Sequence, residues 1–113
     1  MRNKTWILLS AITIGCASSY PVPNDQMAAA QKEVGRAEQS GATSVPDAKL
    51  HLQLAQENIS KAKSFMEKDN RRATVLLQRA GAEAELAFSL ATQESARADA
   101  NQTIDQLGKA KEK

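Results

Sequence analysis

The sequence predicts an all-α protein: an antiparallel helical hairpin with a third helix, three-helix bundle-like, ending in a long C-terminal helix. Three observations carry this. Beyond residue 15 the chain is rich in Ala, Glu, Gln, Lys and Arg, residues that favour the helix. Two stripes, Ala48, Leu52, Ala55, Ile59, Ala62, Met66 and Ala73, Leu77, Ala80, Ala84, Ala87, Ala91, both step four, three, four, three, four, the spacing of one helix face. A polar turn separates them, and the stripes mirror each other about the boundary between Asp69 and Asn70. A large residue then faces a small one in four of the six pairs, as close antiparallel packing needs.

The N-terminal segment reads as a targeting signal. Arg2 and Lys4 precede a short apolar run from Trp6 to Ile14, and Gly15 supplies a small residue at a cut site. The run is too short to span a bilayer, which takes about 20 apolar residues as a helix. The only cysteine, Cys16, follows at once. Thr13-Ile14-Gly15-Cys16 resembles the lipobox of bacterial lipoproteins, with Thr13 where Leu is usual. The resemblance implies cleavage after Gly15, a diacylglycerol on the Cys16 sulfur and an acyl chain such as palmitate on the new amine. Ala17, rather than Asp, resembles the sorting signal for outer-membrane delivery in enteric bacteria. The expected location is therefore the cell outer membrane, lipid-anchored and facing the periplasm.

Composition narrows the function. The full chain holds 15 Lys and Arg against 13 Asp and Glu. A cut before Cys16 removes two of those bases, Arg2 and Lys4, and balances the charge. The pI of about 8.8 thus comes from the targeting segment. A nucleic-acid binder carries its basic charge in its domain, and no nucleic-acid partner is expected. Lipidation uses the only thiol, leaving none for disulfides.

Residues 16–24 read as the lipidated cysteine and a flexible tether, with Pro21 and Pro23 breaking regular structure. Fully extended, the eight residues after Cys16 reach about 27 Å. A first helix is expected over 25–40, capped by Asn24, with Met27, Ala30, Val34 and Ala37 as its apolar stripe and Gly41 as its stop. Ser44-Val45-Pro46-Asp47 has the form of a capping box and opens a second helix running to about residue 68. Residues 67–70 form the turn, and Asp69 caps a third helix that continues to about Leu107, with Gly108 as its stop. The helical domain is thus expected over 25–108 and a solvated basic tail over 109–113. Leu50 and Leu54 lie off the second helix's seam, Leu86 and Leu90 off the third's. All four fall at the height of Val34, so the first helix is expected to close the groove between them. Beyond Ala91 the third helix has no partner, and Ile104 and Leu107 stand alone.

These features together resemble the bacterial lipoproteins of domain of unknown function 4398: the lipobox, the alanine heptads, the Ser44-Val45-Pro46-Asp47 entry and the Ala-repeat helix after a polar turn, over about residues 27–100. The resemblance implies a helical periplasmic domain. It brings no catalytic residues.

Little in the sequence points to chemistry. His51 is the single histidine, with Asp47 one turn before it. A zinc site needs three or four protein ligands, so neither metal nor cofactor is expected beyond the lipid on Cys16. No hydroxyl or lysine nucleophile comes with a recognisable base and orienting group, so no enzyme is expected. Glu83, Glu85 and Glu94 read as exposed helix charges. Lys68, Arg71 and Arg72 cluster at the turn; they read either as a solvated turn or as a basic tip for contact with an anionic partner, peptidoglycan or an acidic envelope protein. The chain closes on Lys113 after an Ala-rich helix, similar in outline to the abundant major outer-membrane lipoprotein of enteric bacteria, whose C-terminal lysine is joined to peptidoglycan. That similarity makes Lys113 an attachment candidate. The reading is a non-enzymatic outer-membrane lipoprotein, a helical spacer or adaptor in the periplasm. The alternative is a structural tether between outer membrane and peptidoglycan. The oligomeric state stays open.

Overall fold

A computed structural model describes residues 19–112. Cys16, Gly15 and Lys113 lie outside the described residues. Three helices follow one another: α1 (Asn24–Gln39), α2 (Pro46–Phe65) and α3 (Asn70–Lys111). The all-helical architecture with a long last helix is the expected one.

Each helix end shows what the local sequence allows. α1 starts one residue earlier than expected. Pro23 holds the cap position, and its carbonyl accepts the first helical bond, from the Met27 N–H at 3.0 Å. Asn24 is therefore the first helical residue rather than the cap. At the other end the Ala42 N–H bonds the Ala37 carbonyl and the Gly41 N–H bonds the Glu38 carbonyl, both at 3.1 Å. With Gly41 at φ +89°, this is a Schellman closure, completed by the buried pair Ala37 and Ala42.

The capping box expected at α2 does not form. Val45 is the N-cap in an extended conformation, Pro46 is the first helical residue, and no side chain caps the end. A residue before proline is driven to extended backbone, so the cap falls on Val45. Ser44 stays in the preceding turn, its N–H bonded to the Gly41 carbonyl at 3.0 Å. α2 also ends at Phe65, short of residue 68, because Glu67 takes a left-handed φ of +69°. The N–H groups of Lys68 and Asp69 both bond the Phe65 carbonyl. Asp69 caps α3 as expected, its Oδ1 accepting from the Arg72 N–H at 3.0 Å.

α3 does not stop at Gly108. It continues to Lys111, so residues 109–111 are helix rather than a solvated tail. A glycine costs a helix about 1 kcal/mol, which leaves it helical here. Lys109 and Lys111 in the last turn suit the negative end of the helix dipole.

The core is alanine-dominated. Every member of the two seams is buried except Met66, which is half-buried. Leu52, Ile59 and Leu77 supply its bulk, and α1 adds Ala30, Val34 and Ala37. Asn58 is buried beside the α2 seam. The short turn makes α2 and α3 antiparallel, and α1 returns alongside α3.

One expectation about packing is overturned. α1 does not close the groove between Leu50, Leu54, Leu86 and Leu90. Leu50 remains 54% and Leu86 42% exposed. α1 lies on the other flank of the hairpin, where Arg36 sits on Phe88 and Glu38 bonds Gln56. Height along the bundle had suggested the groove, but at about 100° per residue Phe88 and Leu86 fall on opposite sides of the seam at Ala87. The aromatic ring and the small residues Ala29, Gly81 and Ala82, which line the α1–α3 cleft, decide the side.

Candidate functional site

The three cations expected to meet a partner do gather at one place, the hairpin tip. Lys68 is in the turn, and Arg71 and Arg72 are in the first turn of α3. They are not equivalent. The Arg72 guanidinium lies over the Phe65 ring, 4.1 Å from its centre, so it braces the end of α2 against the start of α3. Lys68 and Arg71 are exposed and, among the described residues, make no ion pair. With Ser19, Tyr20, Glu67, Asp69 and Asn70 they line an open cleft of about 410 Å³.

Asn70 organises that cleft. Its Oδ1 accepts from the Glu67 N–H at 2.8 Å, which holds the left-handed residue of the turn, and its Nδ2 donates to the Tyr20 carbonyl at 2.8 Å. Tyr20 is thereby fastened to the tip, in the same cleft as Lys68 and Arg71. Nothing in the local sequence signals this contact between residues fifty positions apart.

His51 does not pair with Asp47. Its Nδ1 lies 2.7 Å from Glu83 Oε2 across the α2–α3 interface, with both side chains about a quarter exposed. Glu83 is therefore a cross-helix partner rather than a free surface charge. Among the described residues no three His, Cys, Asp or Glu side chains converge in a way that could hold a metal ion.

On the α1 flank, Arg36 lies 3.9 Å from the centre of the Phe88 ring and 3.1 Å from Glu33 Oε2. Glu33 Oε2 is shielded from solvent and makes no well-aligned hydrogen bond, so its proximity to the Arg36 guanidinium is what balances it. Glu33 and Arg36 edge an open cleft of about 460 Å³ between α1 and α3, floored by Ala30, Leu77 and Gly81. Of these contacts, the Arg36 guanidinium on Phe88 is the one that joins α1 to the hairpin.

Beyond Ala91 every described residue of α3 is exposed. Ile104 is 64% and Leu107 60% exposed. No described helix is long and apolar enough to cross a membrane.

No curated protein and no solved structure matches the chain. A family model does match, over residues 25–103. That span takes in all of α2, nearly all of α1 and α3 as far as the level of Thr103, and by it the chain belongs to the family described as Domain of unknown function (DUF4398).

Proposed function

We propose that the protein is a non-enzymatic lipoprotein, anchored through a lipid on Cys16 to the periplasmic face of the outer membrane, whose helices act as an adaptor. The observation that carries this reading is the bond between Asn70 and Tyr20. It puts Tyr20, four positions after Cys16 in sequence, and the start of α3 at the same end of the bundle. α3 then runs about 63 Å from that end, at 1.5 Å for each of its 42 residues. Its last 20 helical residues, 92–111, are uncovered. A chain held by its N-terminal segment thus displays an unused helix surface away from the anchor. The polar side chains that the fold brings together, Arg36 with Phe88, Arg72 with Phe65 and His51 with Glu83, serve packing between helices.

On this reading Lys68 and Arg71 sit at the membrane-proximal end. Anionic lipid headgroups become their partner, each basic side chain near such a surface contributing about 1 kcal/mol.

Envelope fractionation with intact-mass measurement tests the proposal. The mature protein should carry lipid, fractionate with outer membrane and leave the sacculus in detergent. Cys16→Ser should accumulate as an uncut, unlipidated precursor. An unlipidated mature wild-type protein would sink the anchor. Retention on the sacculus after detergent would favour the structural-tether alternative.

A further inference from the structure

A second stripe runs along α3 on the side away from α1. Leu86, Leu90, Gln93, Arg97, Ala100, Ile104 and Leu107 step four, three, four, three, four, three, the repeat of a coiled-coil face. Leu90 is half-buried and the rest are exposed. Three of the seven large apolar side chains exposed in the described chain, Leu86, Ile104 and Leu107, lie on this one face of α3. Its outer half, residues 92–111, is helix with no tertiary packing among the described residues.

We infer that a second copy of this chain covers this surface, the two α3 helices pairing antiparallel about a two-fold axis near Ser95. From Leu86 to Ile104 the stripe is complementary to its own reverse, and Leu107 lies beyond it at the level of Glu83. In that register Leu86 meets Ile104 of the other copy, Leu90 meets Ala100, and Gln93 meets Arg97. Large faces large or small along the apolar stretch, and the two polar layers fall together beside the axis, where the Gln93 carbonyl accepts from the Arg97 guanidinium. Each pairing occurs twice, as an isologous interface requires. Ile104 of each copy packs on Leu86 and Leu90 of the other, and the uncovered half of each helix gains a partner. A parallel pair would instead set Arg97 against Arg97 and Gln93 against Gln93, burying like charges together. The two hairpin tips end up about 75 Å apart at opposite ends of a rod, counting 1.5 Å per residue from Asn70 to the axis in each copy. The pairing itself does not depend on the anchor.

Two measurements on the full chain test this. First, chains carrying Leu90→Cys and Ala100→Cys under different tags are co-expressed and oxidised in envelopes, with wild type as the control for Cys16. The antiparallel pair gives a mixed 90-to-100 disulfide and little of either like-with-like product, since like positions lie about 15 Å apart along the axis. Like-with-like products alone would establish a parallel pair and overturn the assignment. Second, sedimentation in detergent should give a dimer mass for wild type. Ile104→Asp should raise the dissociation constant about 100-fold or more by burying an unpaired charge, with the α2–α3 hairpin still folded because Ile104 lies outside its core. A monomeric wild type at tens of micromolar, or crosslinks at Leu90 and Ala100 only to other proteins, would overturn it.

Discussion

The side-chain amide of Asn70 donates to the backbone carbonyl of Tyr20 at 2.8 Å while its oxygen accepts from Glu67. One residue thus locks the turn between α2 and α3 and fastens the incoming chain to it. Asn70→Ala removes both bonds and should cost about 1 kcal/mol, since exposed hydrogen bonds are worth about 0.5–1.5 kcal/mol each at most. Asn70→Asp keeps the acceptor and loses the donor. It also places a negative charge at the start of α3, which the helix dipole favours. Amide exchange at Glu67 should therefore be fast in the alanine variant and remain slow in the aspartate variant. Equal exchange in both would mean that the turn does not depend on Asn70.

Two left-handed residues make opposite predictions. Gly41, at φ +89°, closes α1, and a Cβ there would meet nothing within 4 Å. The cost of Gly41→Ala is therefore backbone strain alone, about 1 kcal/mol. Glu67 holds a φ of +69° with a side chain already present. Glu67→Gly relieves that strain, partly offset by the freer unfolded chain, and should stabilise by a few tenths of a kcal/mol. Urea unfolding of the pair checks the signs. Two shifts in the same direction would contradict the turn geometry.

Adjacent positions on α3 separate core from surface. Leu77 is 1% and Val75 51% exposed. Leu77→Ala should cost about 2–5 kcal/mol, because an alanine-lined interface has no larger side chain to move into the space. Val75→Ala should fall within about 0.5 kcal/mol. Chemical denaturation distinguishes them directly. Comparable losses at the two sites would place the seam on the wrong face of α3.

The four-three repeats identified Leu52, Ile59 and Leu77 as core because a helix face is written in spacing alone. The same holds for Asp69, whose capping role needs only its own turn. What depends on three dimensions was not legible. Which flank α1 takes turns on Phe88 and the small residues of the α1–α3 cleft rather than on height along the bundle, so Leu50 and Leu86 were assigned to the wrong neighbour. Ser44 looked like a cap until Pro46 fixed Val45 in that place. Gly108 looked like a stop, yet a single glycine within a helix is a modest penalty. At the tip, Lys68, Arg71 and Arg72 were legible as a cluster because they are close in sequence. Their division of labour was not, since Phe65 claims Arg72 and Tyr20 meets Asn70 only in the folded chain. The burial of Asn58 and the pairing of His51 with Glu83 had no signal in spacing.

Arg36 makes two contacts of different physical kind. Its guanidinium rests on Phe88 of α3, while its ion pair with Glu33 stays within α1. Only the first holds the helices together. A cation over an aromatic ring contributes about 0.5–1 kcal/mol at a partly exposed site, whereas a surface ion pair three residues apart contributes about 0.2–0.5 kcal/mol. A double-mutant cycle on Arg36→Ala and Phe88→Leu should therefore give the larger coupling, and one on Arg36→Ala and Glu33→Gln the smaller. Arg36→Lys tests the geometry: a compact ammonium lacks the planar face that stacks on the ring, so lysine should recover the Glu33 coupling but not that to Phe88. If lysine restores both, charge alone holds α1 in place and the stacking arrangement contributes nothing.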